Sequence, residues 1–386
     1  MDIKKLREIC DIVSGGTPLR TNAEFWDGGI IPWIKIGDIK GKYVSDADEH
    51  ITQAGLEGSS AKMLSKGTIL YTIFATLGEV GILTIDACTN QAIAGITIRN
   101  KDEVLTDYLY YYLKSKKSYV NNLGRGVAQN NINLSILRDL EVPLPTLSVQ
   151  RQTVDILDKT AKVIKYRLQQ LQKLDNLIKA RFVEMFGDPV QNPLKWVTKS
   201  LLEMGYCKNG VNFHSGDSGI EIHCLGVGDF KDYSVVDGTD YLPTISLSEE
   251  PPEESMLQDG DIVFVRSNGN KALVGRCLVV YPHNTPTTYS GFCIRYRLTS
   301  DEVNTSYLLR VLKANSMRKK MIGRGANIQN LNQKTLATLN IPIPPMELQE
   351  QFAEFVNQTD KSKVVVQKAL DEAQLLFDSL MQKYFG

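Results

Sequence analysis

The sequence lacks the features of a metalloprotein and of a membrane protein. Its six cysteines include no C-x-x-C pair, and its four histidines form no i, i+4 pair. Zinc sites need closely spaced ligands, so we expect neither a metal nor a cofactor and interpret the cysteines as isolated buried thiols. No apolar run approaches the roughly 20 residues that span a membrane. No secretory signal pattern is present at the N-terminus, so we expect a cytoplasmic protein.

Net charge is absent as well, because 44 basic residues balance 44 acidic ones. This excludes a promiscuous polycation. It does not exclude a nucleic-acid reader, because such affinity depends on how Lys and Arg are distributed over the surface. With 386 residues, the chain has room for two or more domains of ordinary size.

Sequence signatures of common enzymes are also missing. There is no G-x-x-x-x-G-K-[ST] phosphate loop and no Ser/His or Cys/His signature. An Asn- or Asp-Pro-Pro-aromatic methylase motif is absent, because Asn192-Pro193 continues as Leu-Lys. We therefore expect a protein without catalytic residues.

The sequence does contain an internal duplication. Two G-R-G segments, beginning at Gly124 and Gly323, align without a gap at an offset of 199 residues. The residues with identical partners at this offset are Gly124, Arg125, Gly126, Asn131, Asn133, Leu137, Leu140, Pro143, Pro145, Gln150 and Gln152. Nearer each start the loops differ in length, and IPWIKIGDIK from Ile31 parallels IHCLGVGDFK from Ile222. Such self-similarity predicts a duplicated fold.

Short apolar runs bounded by Gly, Asp and Asn predict strands in each copy. These runs are Ile31–Ile36, Thr68–Phe74, Ile93–Ile98, Ile262–Val265, Leu278–Tyr281 and Phe292–Leu298. A helix is predicted before each G-R-G segment, over Asp107–Lys117 and Ser306–Lys320. The pattern indicates an α+β globular domain in each copy.

Each copy then continues into a long helix, from about Ser148 to Phe186 and from Glu347 to Phe385, without internal proline or glycine. An apolar heptad line, here called the seam, follows both helices. Its residues are Leu157, Ile164, Leu168, Leu171, Ile178, Phe182, Val366, Leu370, Phe377 and Leu380. About 38 residues give a helix near 57 Å, too long to bury its stripe against one small domain, so we expect an antiparallel coiled-coil pair with pseudo-two-fold symmetry.

The predicted organisation has four parts. A first globular domain covers 1–145, a central spacer helix 146–187, a second globular domain 188–344 and a C-terminal spacer helix 345–386. Two similar domains at a fixed spacing suit two sites on one elongated partner. Double-stranded DNA fits this description, because half-sites about 34–36 Å apart match the spacing that helices of this length can set between two domains. A scaffold that binds only proteins fits the geometry equally well.

Side chains favour DNA. Arginine suits guanine edges and phosphates, and Asn or Gln bonds adenine. The candidates beside the G-R-G segments are Arg125, Gln129, Asn130, Arg324, Asn327 and Gln329. For Asn131 and Asn133, closing a turn on the backbone is the favoured role.

A second set of candidates follows a strand of the second copy and consists of Arg266, Asn268, Asn270 and Lys271. The equivalent loop of the first copy, YTIFATLGEVG, carries no basic residue. A shared scaffold with different loop tips indicates two domains that read different sequences. Arg20, Lys35 and Lys40 are candidates for phosphate contacts.

The whole chain resembles the specificity (S) subunits of type I restriction–modification enzymes. The resemblance is carried by L-x-E-I-x-D-I-V-S-G-G-T-P from Leu6, I-P-W-I-K-I-G-D-I from Ile31, the N-x-N and P-L-P cassette from Asn131, and R-F-V-E-M-F-G-D-P from Arg181. It implies two target recognition domains, each reading half of a bipartite asymmetric site, and spacer helices that set the gap. It also implies two methyltransferase subunits, which supply S-adenosylmethionine, and restriction subunits that contain the motor and nuclease.

Overall fold

The computed structural model describes residues 2–124, 131–214, 216–230, 234–322 and 330–386. The chain forms two compact units. The first unit contains residues 1–168 together with 368–386, and the second unit contains residues 169–367. Each unit therefore includes one globular part and a segment of both long helices.

Strands and helices fall at corresponding places in the two units. The strands of the first unit are β1 (Asp2–Lys5), β2 (Cys10–Ser14), β3 (Ile31–Ile34), β4 (Tyr43–Val44), β5 (Glu49–Ile51), β6 (Ile69–Thr72), β7 (Val80–Leu83), β8 (Cys88–Thr89), β9 (Ile93–Ile98) and β10 (Glu141–Leu144). Those of the second unit are β11 (Val197–Ser200), β12 (Gly205–Asn209), β13 (Ile220–Leu225), β14 (Val235–Asp237), β15 (Thr244–Leu247), β16 (Asp261–Val265), β17 (Cys277–Tyr281), β18 (Thr287–Tyr289), β19 (Cys293–Leu298) and β20 (Asn340–Ile343).

The helices are α1 (Leu6–Ile9), α2 (Gln53–Glu57), α3 (Thr106–Ser115), α4 (Lys117–Gly124), α5 (Leu134–Arg138), α6 (Leu147–Phe186), α7 (Thr305–Lys313), α8 (Asn315–Ile322), α9 (Gln333–Ala337) and α10 (Met346–Phe385). The strands and the two long helices confirm the predictions to within a few residues. The helix predicted over Asp107–Lys117 is α3, which ends two residues earlier, whereas the single helix predicted over Ser306–Lys320 is wrong because this range forms two helices, α7 and α8. In the second unit Ala314 is extended (ψ 137°) and ends α7 before α8 begins.

Both units have the same sheet topology, which confirms the duplication. A five-stranded sheet runs in the order β2-β9-β6-β7-β4 in the first unit and β12-β19-β16-β17-β14 in the second. In each, the last pair is parallel and the others are antiparallel. A three-stranded sheet, β5-β3-β8 or β15-β13-β18, and an antiparallel ribbon, β1-β10 or β11-β20, complete each globular part.

The central strand of the first unit's five-stranded sheet, β6, is buried on both faces. All four residues of β6 are buried, and they alternate between two core clusters as the period of a strand requires. Ile69 and Tyr71 join the cluster that contains α3, and Leu70 joins residues of the three-stranded sheet. The strand's uninterrupted apolar sequence follows from this double burial.

Segments of the long helices belong to the core of each unit. In the first unit, Leu157 of α6 and Phe385 of α10 lie in one cluster with Tyr108 of α3, and the rings of Tyr108 and Phe385 are 5.3 Å apart. In the second unit, Phe186 of α6 packs edge-on against Tyr307 of α7 with ring centroids 4.8 Å apart. The helical segments are thus part of each unit's hydrophobic core.

A buried glutamine fastens each long helix to its globular part. Gln150 Nε2 donates to the carbonyl oxygens of Glu103 and Pro145, both at 2.9 Å, and Gln150 Oε1 accepts from the Leu105 amide at 2.9 Å. Gln349 makes the equivalent three hydrogen bonds in the second unit at 2.8 to 3.1 Å. Both side chains are fully buried, so their amide groups depend on these bonds.

One of the ten residues predicted for the seam is exposed. The other nine predicted residues are buried or half-buried, but Leu168 is 54% exposed. Arg167 is half-buried in its place. One residue along an α-helix is a rotation of about 100°, so the next position after a core-facing residue points away from the core.

Within the second unit, Asp175 of α6 interrupts the apolar heptad line and forms an ion pair. Lys363 Nζ lies 2.6 Å from Asp175 Oδ1 and 2.9 Å from Asp360 Oδ1.

Among the residues that the structure describes, no helix is both long enough and apolar enough to cross a membrane.

Candidate nucleic-acid interface

Several loops converge at one end of the first globular part. We call this group the first rim; it consists of residues 14–17, 73–77, 89–92 and 131–132. Backbone hydrogen bonds join its members: Gly16 N donates to Thr89 O at 2.9 Å, Ile73 N to Ala92 O at 2.8 Å, and Ile132 N to Ile73 O at 3.0 Å. Residues far apart in sequence therefore form one connected surface.

The second globular part has an equivalent second rim, made of residues 209–212, 266–272, 290–292 and 330–331. The Phe292 carbonyl accepts from Arg266 N at 2.8 Å, and Leu331 N donates to Arg266 O at 2.8 Å. Gly291 N donates to Val211 O at 2.6 Å. Asn330 and Leu331 thus lie beside Arg266 and Ser267.

Glycine permits the close approach of these loops. A Cβ on Gly15 would lie 2.2 Å from Thr89 Oγ1 and 2.3 Å from the Asn90 carbonyl oxygen. A Cβ on Gly210 would lie 2.2 Å from the Ser290 carbonyl oxygen. Side chains at these two positions would force the rim loops apart.

The rims share a backbone arrangement and differ in their exposed side chains. In the first rim, Phe74 is 38% exposed, and Thr17 donates a hydrogen bond to the exposed Gln91 side chain. In the second rim, Phe292 is 62% exposed and Arg266 is half-buried. Phe292 and Gln91 were not predicted as contact residues from the sequence, because their position on a rim depends on pairing with loops remote in sequence.

The polar candidates of the second rim have a structural use as well. Asn268 Oδ1 accepts from the Asn270 amide at 2.8 Å, and Asn270 Oδ1 accepts from the Ala272 amide at 3.0 Å. These bonds shape the loop as successive Asx turns. Lys271 lies exposed between them.

Asparagines after each G-R-G segment begin the next helix. Asn133 Oδ1 accepts from the Ile136 amide at 2.9 Å, and Asn332 Oδ1 accepts from the Thr335 amide at 2.8 Å. The structural role predicted for Asn133 is confirmed, since this is helix capping. Six candidates lie outside the described residues: Arg125, Gln129, Asn130, Arg324, Asn327 and Gln329.

In the first unit, Arg20 and Lys35 share the carboxylate of Glu49. Arg20 Nη1 and Lys35 Nζ each lie 2.5 Å from a Glu49 oxygen. These hydrogen bonds lower the pKa of Glu49, and the bond to Glu49 raises the pKa of Lys35. The Arg20 guanidinium also covers the rings of Trp26 and Trp33, at 3.9 and 4.7 Å from their centroids. Its orientation is therefore held by both aromatic and ionic contacts.

This cluster borders an open pocket of about 500 Å³ that also includes His50. Asp27 lines the same pocket, so the carboxylates of Asp27 and Glu49 balance the charges of Arg20 and Lys35 there. Lys40 is separate, with a 74% exposed side chain 3.9 Å from Asp48. The structure thus brings Arg20 and Lys35 together and leaves Lys40 extended into solvent.

The described residues do not offer a metal site or a reactive thiol. No three His, Cys, Asp or Glu side chains in the described ranges are placed to hold a metal ion. All six cysteines are free, and five are buried. Burial raises the pKa of Cys10, Cys88 and Cys224 to about 12, so these thiols stay protonated and unreactive. The prediction of isolated buried thiols is confirmed for those five.

Comparison with known proteins agrees with the duplicated architecture. The family model for the type I restriction modification DNA specificity domain matches residues 1–176 and 232–373. The MjaIX specificity subunit of Methanocaldococcus jannaschii is 24% identical over 405 residues, covering 99% of this chain and 92% of that protein. The EcoKI specificity subunit of Escherichia coli is 23% identical over 321 residues, covering 77% and 68%.

Two solved structures share the fold. The S subunit of a type I restriction–modification system from M. genitalium aligns with a TM-score of 0.55 at 16% identity, covering all of this chain and 96% of that one. A chain from a study of complex assembly and conformational transition of the type I R–M system aligns with a TM-score of 0.60 at 16% identity, covering 100% and 97%.

Proposed function

The chain belongs to the type I restriction–modification DNA specificity family, and from this premise we propose that each globular part reads one half of a bipartite, asymmetric DNA site. As a specificity subunit, it is the non-catalytic component that recognises DNA. Methylation and cleavage belong to its partner subunits.

The observation that carries the proposal is the pair of rims. Both rims are built on the same sheet topology, with the same loops joined by backbone hydrogen bonds. Their accessible side chains differ, with Phe74 exposed in one, and Phe292 exposed and Arg266 half-buried in the other. Sequence is read by side chains that reach base edges, so a shared frame with different tips suits two different half-sites.

We assign base contacts to the tips and phosphate contacts to the flanking cations. The proposed contacts are Arg266, Asn268, Asn270 and Lys271, the six G-R-G segment residues Arg125, Gln129, Asn130, Arg324, Asn327 and Gln329, and the cations Arg20, Lys35 and Lys40. Arginine and the amides suit bidentate bonds to guanine and adenine. Arg20 keeps donors available while Trp26 and Glu49 hold it.

We propose that α6 and α10 form an antiparallel coiled coil with pseudo-two-fold symmetry, and that it sets the gap between half-sites. The core contacts inside each unit support this arrangement. The early residue Leu157 of α6 shares a core with the late residues Phe377 and Phe385 of α10. The late residue Phe182 of α6 shares a core with the early residue Phe352 of α10. We accordingly keep 146–187 and 345–386 as spacer helices, and 1–145 and 188–344 as target recognition domains.

Two methyltransferase subunits are proposed to dock on the helices and the globular domains, and restriction subunits to join them. A second apolar line on α6 supports docking there. Val149, Ile156 and Val163 lie seven residues apart and are 39 to 44% exposed. Such a heptad line outside the seam suits a further helix from a partner.

The test replaces residues 1–145 with the corresponding domain of another family member. The variant is expressed with its methyltransferase subunits, and methylated positions are mapped by sequencing. We expect one half-site to change and the other half-site and the gap to stay the same. A change in both halves, or in neither, would contradict the assignment of one domain to one half-site.

A protein-only scaffold is the alternative function. It predicts no sequence-dependent DNA affinity even when methyltransferase subunits are present. Removing whole turns from α6 further distinguishes the DNA-reading function from the scaffold. If α6 is a spacer, the gap between the half-sites should change while both half-sequences stay the same.

A further inference from the structure

Helix α8 presents a cluster of cations beside the second rim. Arg318, Lys319 and Lys320 are consecutive; Lys319 and Lys320 are exposed and Arg318 is half-buried. No acidic residue occurs in α8. For a chain with no net charge, this is a strong local concentration of positive charge.

Contacts tie this helix to the rim loop. Arg318 Nη2 donates to the carbonyl oxygen of Ala272, which ends the Asx turns of the second rim. It also lies 3.4 Å from the Val274 carbonyl oxygen. Burial and then the nearby charge of Arg276 lower the pKa of Arg318. A fourth cation therefore lies in the same cluster.

These cations have no acidic partners within the described parts of the chain. Arg276, Arg318, Lys319 and Lys320 make no ion pair with a described carboxylate. By contrast, Lys199 and Lys208 of the same unit are each paired with a glutamate. Like charges held together oppose folding, so an external anion would stabilise the cluster.

Among the described residues of the first unit, the lysines next to α4 are engaged by other groups: Lys116 Nζ donates to the Phe385 carbonyl oxygen at 2.7 Å, and Lys114 Nζ lies over the rings of Tyr110 and Phe377. Helix α4 precedes the G-R-G segment as α8 does, and its sequence KSYVNNLG contains a single cation, Lys117. Lys117 Nζ lies 2.5 Å from Glu79 Oε1 and is therefore neutralised. The difference between the units is one of charge, since the backbone frame is shared.

We infer that α8 and Arg276 bind the phosphates of DNA next to the half-site read by the second rim, and that the first globular part lacks this contact. The inference rests on the proposed DNA recognition and adds that the two domains contribute unequally to DNA affinity. The second domain would supply a larger share of the affinity that is independent of sequence, and this share is screened by salt.

Phosphate contacts can be tested without knowing the recognised sequence. When a protein neutralises Z phosphates, the plot of log affinity against log salt concentration has a slope of about −0.9Z. Because this contribution does not depend on base sequence, a random-sequence duplex of about 30 base pairs is a suitable probe. The full chain, in complex with its methyltransferase subunits, is compared with Lys319→Gln/Lys320→Gln. The matched control is Lys101→Gln/Lys195→Gln, which removes the same charge from exposed positions outside both rims and both long helices.

We expect the plot of log affinity against log salt concentration to be less steep by about 1.8 for the α8 variant than for the wild type. Between about 50 and 200 mM salt, the wild type should therefore lose about 12-fold more affinity than the variant. The control should keep the wild-type slope, and Lys319→Arg/Lys320→Arg should keep it too. An unchanged slope in the α8 variant, or an equal fall in the control, would overturn the inference.

This result is independent of the half-site assignment. Domain exchange with methylation mapping tests which bases each domain reads, while the salt slope tests only phosphate contacts. A complex that binds no DNA would overturn both.

Discussion

Replacing Gln150 with alanine should destabilise the first unit by about 3 kcal/mol. The side chain is fully buried and makes three hydrogen bonds to backbone groups, each contributing about 1 kcal/mol. The substitution also leaves the buried amide and carbonyl groups without partners. For a unit of this size, 1 kcal/mol changes the melting temperature by about 2–4 °C, so we expect a fall of about 6–12 °C.

Tryptophan fluorescence can follow this unit separately. Trp26 and Trp33 lie in the first unit and Trp196 in the second, so a Trp196→Phe background reports only the first. Gln152→Ala is the matched control. Gln152 is also repeated in the second copy but is exposed, and its loss should cost less than about 0.5 kcal/mol. Equal costs for the two glutamines would refute the fastening role.

Three further predictions concern the second unit. Lys363→Leu should lower the free energy of unfolding by about 1 kcal/mol, and adding Asp175→Leu should restore it, because packed apolar residues can replace an ion pair. Denaturant titrations measure both effects, and a double variant less stable than the single one would contradict this prediction. The hydrogen bond to Asp237 raises the pKa of His283 above its usual 6.5, so the pairing stabilises fully below pH 6.5 and is lost as pH rises through the folded pKa. Asp237→Asn should lower the pKa of His283 measured by NMR, and an unchanged titration would contradict the pairing. Phe292→Ala should change stability by less than about 0.5 kcal/mol while altering methylation at one half-site, and an effect on the other half would argue against its rim assignment.

The repeated parts of the fold were predictable from the sequence because their signals are local. An apolar heptad pattern without internal proline or glycine predicted α6 and α10. Apolar runs predicted six strands: β3, β6, β9, β16, β17 and β19. Gln150 and its repeat 199 residues later were visible as an identity. Their function as buried fasteners was not, because the Glu103 and Leu105 partners come from a distant part of the chain.

The errors and omissions have physical causes as well. A heptad pattern does not decide between neighbouring positions, so Leu168 was assigned to the seam although it is exposed and its neighbour Arg167 is half-buried. Phe292 was taken as the first residue of a strand, yet it lies in the turn before β19, where its carbonyl binds two rim amides. The cations of α8 were included in a predicted helix, and their importance depends on contact with the loop at Ala272.

The most direct test of the account gives the chain two copies of the same reader. Residues 188–344 are replaced by a copy of residues 1–145, and the methylated sites of the resulting complex are mapped by sequencing. If each domain reads one half-site and pseudo-two-fold symmetry relates them, the new site should be an inverted repeat of the first half-sequence around a gap. A site that stays asymmetric, or that retains the second half-sequence, would contradict the account.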